Sequence, residues 1–227
     1  MVRKKILLPL LNICFVGQIS SADDNLIIFP QRVGEISAQL GEDKLATIYG
    51  KNNLTREILL EDDGRSRCAT ILFRGTQREL SIFWRDDSSD YDSTPPSQAQ
   101  EKCAANGHYR KPERIDITLG ADRKPSAWRT VEGVFVGISL LSLEKINGAP
   151  VEFEVSESCG NGGILSWRGG SLEKSHKLFS DSRISFNPED VEVARKRDVV
   201  SSTDLSDSVK SGMFLDRISF YLLPATE

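Results

Sequence analysis

Histidine is nearly missing from this chain. Only His108 and His176 occur in 227 residues, and neither sits in a recognisable Cys-His arrangement. There is no C-x-x-C pair, so the ligand set of a zinc site is absent from the sequence, and no metal or other cofactor is expected. The stretch "GISLL" at 137–141 is not a nucleophile elbow, because Leu141 stands where the final Gly of G-x-S-x-G is needed. "CGNGG" at 159–163 lacks the Lys-Ser/Thr and helix of a phosphate cradle and reads as a tight turn. Clustered Lys and Arg are also lacking. "ARKR" at 194–197 is the one basic knot in a chain of net charge −4, which excludes an ordinary nucleic-acid binder. Beyond the N-terminus no apolar run approaches the roughly 20 residues of a membrane span.

What the N-terminus does hold is a charged start, "MVRKK", an 11-residue apolar run, "ILLPLLNICFV", and small residues at Ser20 and Ala22. This is the pattern of a secretory signal peptide over residues 1–22, with cleavage expected between Ala22 and Asp23. A bulky Ile13 before Cys14 argues against lipidation. Loss of Arg3, Lys4 and Lys5 leaves 26 basic against 33 acidic residues, a net charge of −7. Cys14 leaves with the signal, so Cys68, Cys103 and Cys159 would meet an oxidising compartment, periplasmic or extracellular.

Along the mature chain, "NLIIF" (25–29) reads as a strand ended by Pro30. "GEDKLATIYG" (41–50) reads as a short helix with an acidic first turn, Leu45 and Ile48 on one stripe, and Gly50 as its stop. Residues 56–61 follow as a strand, and 69–74 with 79–84 as a hairpin. Residues 85–112 are read as one long polar loop, of the kind that is functional or covalently tied. A strand resumes at 113–119. Ser139 caps a second short helix that carries Leu140, Leu143 and Ile146 and closes at Gly148 before Pro150. Strands at 150–155, 164–167 and 183–187, a helix over 187–197 and a closing central strand at 213–223 complete the pass. Aligning Gly50 with Gly148 superposes Leu45 on Leu143 and Ile48 on Ile146. A helix followed by antiparallel strands therefore recurs, which suggests a duplicated unit.

Each of the three tryptophans precedes an arginine: Trp84-Arg85, Trp128-Arg129 and Trp167-Arg168. Strand neighbours point to opposite faces. The pairs are therefore either core indoles with solvated guanidinium groups, or a ligand surface on which Trp stacks and Arg holds an anion. Hairpin geometry puts Cys68 beside the exit into the long loop, so a Cys68–Cys103 bridge is expected, with Cys103–Cys159 or no bridge as the alternatives. "DDSSDYD" (86–92) alternates like a calcium loop. Counted from Asp86, however, Tyr91 and Ser97 occupy the Gly and Glu places of an EF-hand, so a solvated acidic loop is the better reading. Asn53 lies in a glycosylation sequon.

The stretches "LATIYG" and "SLLSLEKINGAP" resemble the repeated helix-plus-sheet modules of β-lactamase-inhibitor-like exported bacterial proteins, over residues 36–84 and 134–168. The second unit is also similar to uncharacterised bacterial envelope proteins with a G-x-S-x-x-x-L-x-x-x-N-G-x-P pattern, matched by Gly137, Ser139, Leu143, Asn147, Gly148 and Pro150. The resemblance implies a protein-binding role without chemistry. It carries over no functional residue.

The expectation is an α+β protein with a mainly antiparallel, twisted sheet and a few short helices. It comprises residues 23–112, including the 85–112 loop, and residues 113–227, including the C-terminal strand. The function expected is that of an exported, non-enzymatic binding module whose partner is another protein or an envelope component. A hydrolase built on two carboxylates is the alternative, since paired Asp and Glu leave no local signature.

Overall fold

The computed structural model describes residues 25–61, 63–87, 89–105, 109–120, 122–155, 161–173, 182–185 and 199–223. The segment expected as a signal peptide, Cys159, both histidines and the helix expected over 187–197 lie outside these residues. The elements in chain order begin with β1 (Leu26–Ile28), β2 (Arg32–Val33), β3 (Ile36–Ser37), α1 (Glu42–Tyr49) and β4 (Leu54–Leu60). Next come β5 (Ser66–Leu72), β6 (Leu80–Trp84), α2 (Pro96–Ala105), β7 (Pro112–Thr118) and β8 (Arg129–Thr130). The chain closes with α3 (Leu140–Asn147), β9 (Glu152–Glu154), β10 (Asn161–Ser166), β11 (Arg183–Ser185), β12 (Val199–Ser201), α4 (Asp207–Gly212) and β13 (Phe214–Tyr221).

The fold is α+β. Nine strands form one antiparallel sheet in the order β12-β9-β10-β11-β13-β7-β6-β5-β4. A second sheet, β3-β2-β1-β8, contains the parallel pair β1–β8. From one edge of the large sheet the chain runs α1, then β4, β5, β6 and β7. On the other side it runs α3, then β9, β10, β11 and β13, and β7 and β13 meet in the middle. The closing strand is central, as its length predicts.

Directly paired residues share a face, so the register sorts the sheet. One row reads Arg56, Thr70, Ile82, Ile115, Phe220 and faces the helices. Leu45 of α1, Ala99 and Cys103 of α2, and Leu140 and Leu143 of α3 join this main core with Ile27 from the small sheet and Trp128 just before β8. The adjacent row reads Glu57, Ala69, Phe83, Arg114, Tyr221 and looks the other way. Among the described residues a small separate cluster of Ala69, Ile71 and Phe83, with Leu59 against it, lies there.

Two expectations are corrected. Residues 85–112 are not all loop, because α2 occupies Pro96–Ala105. Pro96 sits in the first turn, where a missing N–H costs nothing, and Ala99 and Cys103 at i, i+4 provide the buried contacts. The helix docks on the edge strand β4. The Gln100 side chain accepts from Ile58 N at 3.2 Å and donates to Arg56 O at 2.9 Å, in effect a one-residue substitute for a neighbouring strand. Ile48, expected on the buried stripe of α1, is 47% exposed, so Leu45, with the half-buried Tyr49, anchors that helix in the core.

The second helix follows expectation. Ser139 Oγ accepts from Ser142 N at 3.2 Å, and Gly148 adopts the left-handed conformation that ends the helix. Asn147, 1% exposed, donates to Ala149 O and Trp167 O and accepts from Leu172 N at 3.0 Å, tying the helix end to β10.

Candidate functional site

The three tryptophans fill the core. Trp84, Trp128 and Trp167 are each 0% exposed. Burying an indole is worth on the order of 4–6 kcal/mol, more than the roughly 1 kcal/mol of an aromatic stacking contact, so none would turn outward to meet a ligand. Trp84 donates from Nε1 to Thr70 Oγ1 at 2.9 Å and stacks on Tyr109 with centroids 5.5 Å apart. Thr70 in turn donates to Glu42 at 2.6 Å, and Arg56 closes the set by pairing with Glu42. Trp128 donates to Arg78 O at 2.8 Å.

The three arginines go outward but apart. Arg129 lies over the Phe135 ring at 4.0 Å, and Arg168 pairs with Glu152. The guanidinium of Arg85 has no partner among the described residues. The structure therefore does not assemble the six residues into one surface.

A cluster missed in the sequence occupies the sheet face turned away from the helices. Phe83 is its centre, 2% exposed, with the Arg114 guanidinium 4.1 Å and the Arg67 guanidinium 5.5 Å from its ring centroid. Arg114 also reaches Glu61 at 2.7 Å and Asp116 at 3.0 Å. Asp116 meets Arg217 at 3.3 Å, and Arg67 meets Glu113 at 3.0 Å. Tyr221, paired with Arg114 across the strands, is 42% exposed and forms the accessible rim. The one sequence signal for this face is the alternation in "ERIDIT", in which Arg114 and Asp116 oppose Ile115 and Ile117.

Burial dominates the electrostatics. It pushes the Asp116 carboxyl above its ordinary value despite the two arginines, and it raises Asp216, near Arg183, to about 6. For Arg114 burial alone would favour the neutral form. Asp116, Tyr221 and Glu61 outweigh it and hold the guanidinium above its ordinary value.

Beside this face, a cleft of about 390 Å³ lies at the root of the 85–92 loop, lined by Arg65, Arg67, Arg85, Asp90, Tyr91 and Glu113 among others. The acidic residues of the loop serve as acceptors that shape it and tie it to its neighbours. Asp86 accepts from Arg110 N at 2.8 Å, and Asp92 from Ser66 N at 2.7 Å. Asp90 accepts from Ser93 Oγ at 2.8 Å, and that bond with its backbone counterpart holds the Asp90 carboxyl below its ordinary value. The expected disulfide joins Cys68 of β5 to Cys103 of α2, with Cα atoms 5.5 Å apart. Among the described residues no group of His, Cys, Asp and Glu is arranged to hold a metal, and no helix is long and apolar enough to cross a membrane.

Comparison with protein-family models, with curated proteins and with solved structures finds no match to this chain.

Proposed function

We propose that the chain is an exported, non-enzymatic binding module that meets another protein, in the periplasm or outside the cell, through the sheet face around Phe83 and the 85–92 loop beside it. One observation carries this reading. The arginines and aromatic rings of that face are held in place by ion pairs and ring contacts, with Tyr221 and Arg85 exposed at its edge. Arg and aromatic side chains are the groups enriched at protein interfaces. Side chains fixed before association lose less entropy on binding. The disulfide suits an oxidising compartment. The resemblance to inhibitor-like modules points the same way, and the helix-then-strands order on both sides of β7 and β13 fits two related units.

For the carboxylate-hydrolase alternative, Glu61 and Asp116 share one guanidinium, and Arg114 binding both leaves neither available as a free acid or base. The test is capture from envelope extract with mature protein, residues 23–227, against an Arg85→Glu/Tyr221→Ala variant. The partner is expected on the wild type and missing from the variant. Equal capture by both would contradict the reading, as would turnover of an ester, peptide or glycoside by the purified protein.

A further inference from the structure

A second cleft, of about 360 Å³, lies away from the sheet face and is lined by Leu119, Arg123, Pro125, Ser185, Gly212 and Phe214, with Gly137 in its wall. We propose that it binds a small carboxylic acid with an apolar body, the carboxylate on Arg123 and the body against Leu119, Pro125 and Phe214. The volume falls in the ordinary range for small-molecule sites, and apolar side chains combined with a few polar groups are their usual make-up.

Three observations converge. The first is charge. The neighbouring cleft of about 460 Å³ also holds cations, but each has its own anion: Arg74 reaches Glu57 at 2.7 Å and Glu79 at 3.1 Å, and Lys124 reaches Asp122 at 2.9 Å. Arg123 has no partner among the described residues. The second is backbone. Among the described residues Arg123 is one of three non-glycine residues with positive φ, at 54°, a conformation that L-residues rarely adopt. The turn is fixed on both sides, by Arg123 N donating to Gly120 O at 2.8 Å and by Lys124 N donating to Asp122 at 3.2 Å. Non-glycine residues held in this way concentrate at ligand sites. The third is the wall. Gly137 has φ of +97°, and a Cβ there would lie 2.8 Å from Pro125 Cα, so main chain packs against main chain and the sequence adds no side chain at that point.

The ligand class follows from these groups. A guanidinium fork matches a carboxylate through two parallel hydrogen bonds. A doubly charged phosphate would need more than one cation, and the other described wall residues offer none. For an acid of about ten non-hydrogen atoms, ordinary ligand efficiency gives a Kd of about 0.1–1 mM.

The experiment is calorimetric and NMR titration of the mature protein with octanoate and with octan-1-ol, repeated on Arg123→Ala, Arg123→Lys and Ser185→Phe. Octanoate is expected to bind saturably and octan-1-ol about tenfold or more weakly. Arg123→Ala should reduce octanoate to the level of the alcohol, Arg123→Lys should restore part of the difference, and Ser185→Phe should remove both while the unfolding curve stays put. An N-acetyl dipeptide ending in Leu, free or amidated, separates the sources. Competition by the free form alone adds polypeptide C-termini to the site's ligands, and no competition restricts it to free acids. Equal binding of acid and alcohol, octanoate binding indifferent to Arg123→Ala, or no saturable binding would each overturn the proposal.

Discussion

The Arg114 guanidinium lies 4.1 Å from the centroid of the Phe83 ring and makes ion pairs with Glu61 and Asp116 from the same position. One side chain thus covers the apolar centre of the outer sheet face and neutralises two carboxylates whose side chains are 7% and 8% exposed. Arg114→Ala would leave both acids buried without that partner, which costs about 3–5 kcal/mol. Urea unfolding of the two proteins measures it. A loss below about 1 kcal/mol would mean that the network contributes little to holding this face.

The Cys68–Cys103 bridge closes a 35-residue span and fastens α2 over the edge of β4. Replacing both cysteines by alanine is expected to cost about 3–4 kcal/mol by loop-closure entropy, or roughly 6–16 °C in Tm for a chain of this size. The Ile58 amide, held by Gln100, should lose hydrogen-exchange protection along with the helix. Unchanged Ile58 exchange would show that α2 stays docked without the bridge.

Burial raises the Asp216 carboxyl from its ordinary 3.8 to about 6. The native state then holds this proton more tightly than the unfolded chain. The stability it contributes is complete below about pH 4 and is lost as pH rises through 6. Relative to Asp216→Asn, the wild type should lose on the order of 2–3 kcal/mol between pH 4 and pH 7. Urea midpoints of both proteins across that range give the difference. A flat difference, or one of opposite sign, would contradict the assignment.

Much of this was legible in residue order. The 69–84 hairpin, the Ser139 cap, the Gly148 stop and the central C-terminal strand follow from local chemistry, and the cysteine pairing followed from hairpin geometry. Helix α2 was missed because only Ala99 and Cys103 mark its buried face, while its docking depends on Gln100 meeting a strand about forty residues away. The exposure of Ile48 is not legible in the sequence, because the stripe predicts a face without saying how wide the covering surface is. The Trp-Arg pairs recur in the sequence, but they stand on separate elements, at the end of β6, the start of β8 and the end of β10, and each indole is buried. The Phe83 cluster draws Glu61, Arg67, Phe83, Arg114, Asp116 and Arg217 from β4 or its end, β5, β6, β7 and β13. No local window contains it, and only the register of the sheet brings it together.

The central claim is that this sheet face, and not the helix side, meets a partner. Photo-crosslinking in the native host tests it most directly, with a benzophenone side chain at position 221 on the outer face or at position 48 on α1, both exposed in the wild type. The account predicts a discrete protein adduct from position 221 that is absent from position 48. An adduct from position 48 alone, or none from position 221, would contradict it.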